Sequence, residues 1–551
     1  QNSTTGGAGT SAASTESPTG GTLVREGLAE VIVGCQKRKD GRDDVFYNPA
    51  QVFNRDLSVL ALSVFARIRR ADIEEKNKKR EERAKETGRT VYAGPEPGLY
   101  VLEALAATGI RSIRYAKELG EGPHGVRCIM ANDLDSTAVA KIRQNLVRNG
   151  IREGMIEVNC GDAASFMYAR KARGSGGLGD GAYDVIDIDP YGTCAPFVDS
   201  AVQAVADGGL LCVTSTDMPV LGGNHPETCF ARYGGSALKS GYVHEMALRL
   251  VMYALCMSAA KYGREVRPLM CCSIDFYVRL FVRVFDSPAR VKQQASKSGL
   301  VHQCVQCESF FIQPFGDIGS ETGANRFKPA KVVVPGSDCP ECGGRLKVGG
   351  PCYIGVMHDE DFVQKCLGVC TDSTESLPGV TSWKKIRGLL TAIDEEHADL
   401  PLFYRLPQLC KGLKLPPVPL KQFRGTLLSL GYRVSHMHRD PEAIKTDAPN
   451  SVVYDLMRLW AEENPPKANP LPQLLKKALG LKRPIEWQTE PEDQVQRKKV
   501  PKFLPNPEPN WGPKPRARGG GAAEEQPPNE EEGPKSDAMA QDGGTSVEPP
   551  P

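Results

Sequence analysis

Residues 183–192 read Tyr-Asp-Val-Ile-Asp-Ile-Asp-Pro-Tyr-Gly. Tyr183 to Asp187 have the composition of a buried strand that closes on a carboxylate. Asp189-Pro190-Tyr191-Gly192 follows. Proline ends the strand because it has no N–H for the ladder, and glycine lets the backbone turn sharply. The stretch therefore projects an acid and an aromatic ring from the C-terminal edge of a sheet, where open α/β sheets bind their ligands. A carboxylate beside an aromatic plate can hold a flat base and accept a hydrogen bond from an exocyclic amine. A structural Asp beside a packed Tyr would account for the same ten residues, so the surroundings must decide.

Working outward, residues 99–218 alternate strand, turn and helix. LYVLEALAATG, VRCIMANDLD, IEVNCGDAA and YDVIDIDPYG each pair a strand with a loop. IRSIRYAKEL, STAVAKIRQNLVRNG with a Ser136 cap, and PFVDSAVQAVADGG read as the intervening helices, and GGLLCVTSTDM as the next strand. This rhythm predicts a parallel, doubly wound α/β sheet. The loop Ala106 to Arg111 would expose backbone N–H groups at a helix N-terminus. Asp133 is placed to bind ribose hydroxyls, and Asp162 with Ala163 to hold an adenine amine and pack its ring. A loop, an acid and an acid on three successive strand ends suit S-adenosylmethionine in a Rossmann-like methyltransferase. GxGxxG is absent.

Upstream, LVREGLAEVIVG suggests a strand or two, and Asn54-Arg55-Asp56 precedes a helical run that Asn54 or Asp56 could cap. Residues 71–89 carry dense charge of both signs, as in a solvated helix or a disordered insertion. Downstream, residues 233–263 read as one long helix, and MCCSIDFYVRLFVRVF as strands that extend the sheet antiparallel. Cys304-Val-Gln-Cys307 and Cys339-Pro-Glu-Cys342 form two CxxC knuckles, which suit four thiolates around a structural zinc ion at Zn–S of ~2.3 Å. Cys352, Cys366 and Cys370 rank below them for want of a knuckle. From about Thr381 basic residues (Lys384, Lys385, Arg387, Arg405, Lys411, Lys421, Arg424, Arg433, His436, Arg439) mix with Phe403, Tyr404, Phe423 and Tyr432. Such mixtures fit phosphates and unstacked bases, or equally a solvated face over core aromatics.

The chain has 551 residues and a net charge of +2, too long for one ordinary core. No stretch approaches the roughly 18 uninterrupted apolar residues of a membrane span. Many of the 17 cysteines fall on apolar strands, which suits a reducing compartment. We expect a disordered tail over 1–21, a methyltransferase domain with its N-terminal extension over 22–290, a C-terminal α+β domain over 291–465 with the zinc site, and a Pro-rich tail over 466–551 that is basic and then acidic. QRKKVPKF at 496–503 fits either a nuclear address or an RNA contact.

FYNP and NRD, then ATGIRSIRY, AND, GDAA, DIDPYG, VTSTDM and the paired knuckles, in that order, resemble the tRNA (guanine-26-N2)-dimethyltransferases over residues 23–460. The resemblance implies a class I methyltransferase domain, a family-specific C-terminal domain that binds tRNA, and two methyl groups placed on N2 of a guanosine. By motif it implies cofactor contacts from Arg55, Arg111, Asp133, Asp162 and Ala163. It implies Asp189 as the catalytic carboxylate and Tyr191 with Phe46 around the guanine; on the chemistry of the amine, the Pro190 carbonyl or another main-chain oxygen is expected to hold its second hydrogen. It also implies a nuclear or mitochondrial location. An amino-methyltransferase for another RNA, DNA or protein, or a non-catalytic RNA-binding protein, remains the alternative reading of the residues themselves.

Overall fold

The computed structural model describes residues 15–16, 21–33, 47–88, 98–170, 182–319, 326–372, 377–466, 472–481, 485–491, 500–506 and 512. Most of both expected tails, and Phe46, lie outside them. Seven strands build the central sheet: β1 (Leu99–Glu103), β2 (Val126–Asp133), β3 (Ile156–Cys160), β4 (Tyr183–Ile188), β5 (Val205–Ser215), β6 (Arg264–Ile274) and β7 (Tyr277–Asp286). Their order is 3-2-1-4-5-7-6. The first five pair in parallel, and β7 pairs antiparallel with both β5 and β6. This is the doubly wound Rossmann-like sheet expected, with the antiparallel extension where MCCSIDFYVRLFVRVF placed it.

Both faces of the sheet are covered. Successive strand residues point to opposite sides, so Leu102, Ile186 and Leu211 enter one core while Val101, Val185 and Leu210 enter the other. The first core is closed by α5 (Ala195–Ala204) and α7 (Val243–Ala260). The second is closed by α1 (Val52–Thr87), α2 (Ile110–Glu118) and the hairpin Thr22–Glu26/Ala29–Val33, which LVREGLAEVIVG foreshadowed. Between the sheet strands run α3 (Ser136–Arg148) and α4 (Ala163–Ala169); α6 (Pro226–Tyr233) precedes α7.

Several local expectations shift. Asn54 and Asp56 lie inside α1, and Asn48 caps the preceding 3-10 turn, with its side chain accepting from Ala50 N at 2.9 Å. Asp135, not Ser136, caps α3 by accepting from Thr137 N. Residues 71–87 continue α1 as an exposed helix. The single long helix expected over 233–263 is broken, because Gly234 at φ +73° ends α6 and α7 begins only at Val243. Strand β5 starts earlier than GGLLCV, at Val205, where the backbone leaves α5 in an extended conformation.

The cores do not stop at residue 290. Val301, Cys352, Leu402 and Met437 belong to the first, and Phe362, Leu377, Val380 and Ile386 to the second. The helices α8 (Glu360–Asp372) and α9 (Trp383–Asp394) pack on the α1 side of the sheet. Buried Asp56 of α1 accepts from Thr381 N at 3.0 Å and Ser382 N at 2.8 Å. Behind β6 lies a second buried polar set. Lys445 Nζ lies 2.9 Å from Glu245 and 2.7 Å from Glu396. Glu396 also binds His438 Nδ1 at 2.8 Å, and His438 Nε2 accepts from Ser273 N at 3.0 Å. His358 Nδ1 accepts from Cys271 N at 3.3 Å.

Candidate active site and metal centre

The site grows from the carboxyl ends of β1, β2 and β4. After β1 the chain enters the loop Ala104–Gly109, where Ala107 (φ +47°) and Gly109 (φ +75°) take left-handed conformations. Gly109 starts α2, and a Cβ there would stand 3.0 Å from Ile142, so glycine suits both the turn and the packing. Asp133, ending β2, fastens this loop: its Oδ2 accepts from Ala107 N at 2.8 Å and its Oδ1 from Asp135 N at 3.0 Å. Asn132 ties three strand ends together, donating to Ala104 O and Gly161 O at 3.0 Å and accepting from Asn159.

Asp187 is fully buried. Arg279 grips it through both nitrogens at 3.0 and 2.7 Å, Tyr115 OH donates at 2.8 Å, and Arg111 Nη1 lies 3.4 Å away. Burial pushes its carboxyl up, but Arg111 and Arg279 outweigh that and hold it below the usual carboxylate range. Arg111 then reaches Asp189 Oδ2; Glu103, Arg111 and Asp189 all line the cavity, and Asp189 is the most open of them, its side chain 22% exposed. Glu103 sits beneath with Oε2 accepting from Ser112 N; burial pushes it up to about 8 against the pull of Arg111. The Asp189–Gly192 turn is pinned by β5: Gly192 N donates to Thr216 Oγ1, and Thr216 N donates back to Gly192 O, both at 2.9 Å. Gly192 has φ +81°.

Glu103, the loop after β1, Arg111, Asp133, Asp189, Pro190, Tyr191 and Thr216 line one cavity of about 270 Å³ together with Tyr47, Asn48, Gln51, Arg55 and Phe276. Arg55 is held by Glu26 at 2.6 Å (Nε) and 2.5 Å (Nη2). Burial raises the Glu26 carboxyl, yet Arg55 and Arg114 bring it down to about 2.

Away from this cavity, Cys304, Cys307, Cys339 and Cys342 converge, their sulfurs all within 4.8 Å of one another. Cys304 and Cys342 are 3.4 Å apart, and Cys307 and Cys339 3.7 Å. Tetrahedral bonds of ~2.3 Å set sulfurs about 3.8 Å apart, so the four thiols fit a zinc ion. His358, Glu396 and His438 also cluster. There Lys445 already supplies the cation to Glu396, and the Ser273 N–H takes the lone pair on His438 Nε2 while Nδ1 faces the carboxylate. That set reads as a closed polar network.

The sequence pattern of the family described as N2,N2-dimethylguanosine tRNA methyltransferase matches residues 29–458. The chain belongs to that family. It is 39% identical over 534 residues to tRNA (guanine(26)-N(2))-dimethyltransferase of Mus musculus, covering 91% of this chain and 77% of that protein. The Schizosaccharomyces pombe enzyme of the same name is 39% identical over 505 residues, covering 86% and 89%. The Saccharomyces cerevisiae relative, named as the mitochondrial dimethyltransferase, is 34% identical, covering 90% and 92%. The complex of Trm1 from Pyrococcus horikoshii with S-adenosyl-L-methionine superposes with a TM-score of 0.60 at 26% identity, covering 78% of this chain and 98% of that one.

For this dimethyltransferase-family chain, the structure gathers Arg55, Arg111, Asp133, Asp189, Pro190 and Tyr191 around the one cavity. Asp162 and Ala163 do not line it: Asp162 is exposed and caps α4, accepting from Ser165 N at 2.7 Å, and Ala163 is buried in the first core. Phe46 lies outside the described residues. Of the C-terminal aromatics, Phe403, Tyr404 and Phe423 are core side chains. Arg405 pairs with Asp440 and Glu442, Arg433 with Asp399 and Asp447, and Arg424 donates to Pro441 O and Ala443 O. Cys352 and Cys366 sit in the two cores, not with the knuckles. Sequence reasoning missed Glu103, Asn132, Asp187, Arg279 and Phe276. The tight turn at Asp275-Phe276 between two strands was the signal for the last, since Ile274 pairs with Tyr277.

Proposed function

We propose that the chain uses the Asp189 cavity to methylate the exocyclic N2 of guanosine 26 in tRNA, giving N2-methyl- and then N2,N2-dimethylguanosine. The observation that carries this reading is the meeting of a polar loop, the Asp133 carboxylate and the Asp189 turn on one sheet edge. The residues present suit S-adenosylmethionine. Asp133 is oriented by two backbone N–H groups and faces the cavity, and Arg55 and Arg111 offer cations for a carboxylate. When bound, the cofactor supplies an electrophilic methyl group.

The chain's own residues supply the rest. The guanine amine is a poor nucleophile because its lone pair is delocalised into the ring. Asp189 accepts a hydrogen bond from N2–H and takes that proton as the new bond forms. The Pro190 carbonyl receives the second amine hydrogen, and Tyr191, half exposed at the rim, stacks on the base with Phe46. Stacking of about 1–3 kcal/mol per base offsets the few kcal/mol needed to lift the guanine from its stack. Asp162 and Ala163, next to the three strand ends joined by Asn132, would flank the adenine. A zinc ion on Cys304, Cys307, Cys339 and Cys342 would brace the C-terminal part, and the nucleus or the mitochondrion, as for the yeast relative, is where we place the protein.

The deciding experiment is methyl transfer from labelled cofactor to an unmodified tRNA transcript, followed by nucleoside analysis. Dimethylguanosine is expected, and is lost when guanosine 26 is replaced by adenosine. Label that persists on the replaced transcript would refute the assignment of the target. Elemental analysis should return one zinc per chain, and less for Cys339→Ser; a metal-free, fully folded protein would end the zinc reading.

A further inference from the structure

Beside the Asp189 cavity lies a second one, also of about 270 Å³, lined by Phe53, Asp275, Lys385, His438, Arg439 and Lys502 among others. The two share a wall. Asp275 and Phe276 are neighbours in the β6–β7 turn, one facing each cavity, and Phe53 is two residues from Gln51 on the catalytic side.

Three cations, Lys385, Arg439 and Lys502, face one carboxylate, Asp275. Lys385 Nζ is 3.4 Å from Asp275, and Lys502 pairs with Glu395. Arg439 differs from Arg405, Arg424 and Arg433, which have partners within the fold. Among the described residues its guanidinium has no ion pair and no hydrogen bond, and burial draws it below its ordinary value despite Asp275 and Asp440 nearby. Its charge, partly desolvated and on the wall of the cavity, is left to offer to a partner from outside.

Part of the wall is a strap from far along the chain. Residues 500–506 lie across α9, where a Cβ on Gly388 would come within 2.4 Å of Pro501 O. Phe503 packs edge-on against His436 at 5.7 Å. Asn506 accepts from Lys385 at 2.8 Å and donates to Asp275 at 3.0 Å. The second half of QRKKVPKF is thus docked on α9 beside the β6–β7 turn. Gly388, a poor helix residue by propensity, is explained by the strap's close approach.

We propose that this cavity is the subsite for a tRNA backbone phosphate next to the target guanosine, with Arg439 as its principal cation and the strap bringing Lys502 to complete it. The inference rests on the tRNA reading above. A guanosine entering the Asp189 cavity carries its own backbone across the Asp275–Phe276 turn, and phosphate contacts position a nucleic acid without reading its sequence.

The test is Arg439→Gln, which breaks no ion pair or side-chain hydrogen bond among the described residues. Transcript affinity is measured by filter retention across a salt series, and turnover in parallel. KM for tRNA should rise about tenfold, with kcat and cofactor affinity unchanged, and the slope of log affinity against log salt should fall by about one. Gly388→Ala, which displaces the strap, should shift affinity in the same direction. Unchanged KM and salt slope in Arg439→Gln would overturn the subsite, as would an equal loss of cofactor binding, which would mark a structural role. If the wild-type chain binds the transcript but methylates elsewhere, the target assignment fails while the subsite is still judged by the salt slope.

Discussion

Two buried ionic networks flank the sheet, and they differ in one respect. Arg111, Arg279, Asp187 and Glu103 end on Asp189, which opens to a cavity. Glu245, Glu396, Lys445, His358 and His438 end on backbone N–H groups of β6 and on each other. Both satisfy their charges internally, as buried charges must. The first presents Glu103, Arg111 and Asp189 to the catalytic cavity. The second presents His438 to the neighbouring cavity with both ring nitrogens already engaged by Glu396 and Ser273 N. That difference separates a device for chemistry from one that joins the C-terminal part to the sheet. Clustering of titratable groups alone therefore did not mark the active site.

The sharpest way to test the contrast is to disarm the open end. Asp189→Asn should lower methyl transfer by about 10²–10⁴-fold, the usual worth of a positioned general base, while calorimetry finds cofactor binding retained. Near-normal turnover would remove Asp189 from the mechanism. In the closed network the expected loss is of stability instead. Lys445→Met leaves Glu245 and Glu396 without their shared cation, and breaking such a buried pair costs about 3–5 kcal/mol. Urea unfolding should show it, with kcat little changed in the protein that remains folded. A large kcat effect at unchanged stability would erase the distinction between the networks.

The smallest effect concerns pH. Glu103 titrates near 8 in the fold, above its unfolded value. Between the two values the folded state holds more protons than the unfolded one, so this group's contribution to stability is full at low pH and is lost as pH rises through about 8. Glu103→Gln should gain on the wild type in thermal melts from pH 5 to pH 9. A constant difference would mean that Glu103 is ionised throughout.

Local chemistry was legible in the sequence. The Asp189-Pro190-Tyr191-Gly192 turn, the strand–helix rhythm and the knuckle spacing are signals spanning a few residues, and each fell where expected. The Asn48-Pro49 cap is equally local, but Asn54 and Asp56 downstream are cap-type residues too, and burial inside α1 decides between them. The partners of Asp187 were not legible. Arg279 is 92 residues away and Tyr115 is 72, and no periodicity connects them. The same holds for Lys445 and Glu245, and for a strap that returns to a glycine more than a hundred residues earlier. Basic residues mixed with aromatics proved ambiguous because arginines such as Arg405 and Arg433 serve the fold. Arg439 is set apart from these two by its place on the second cavity without an ion pair among the described residues.

The hydrogen bonds from Thr381 and Ser382 to Asp56 also bear on how the protein is made. On the ribosome, α1 emerges more than three hundred residues before these donors. Until they arrive, the helix carries a carboxylate short of the backbone partners it has when buried, and Leu377, Val380 and Ile386 are missing from the core it faces. The first half of the chain therefore cannot finish folding as an independent unit during synthesis. A chain cut short before residue 381 should stay soft and open to proteases, so truncated translation products would be recognisable to quality control.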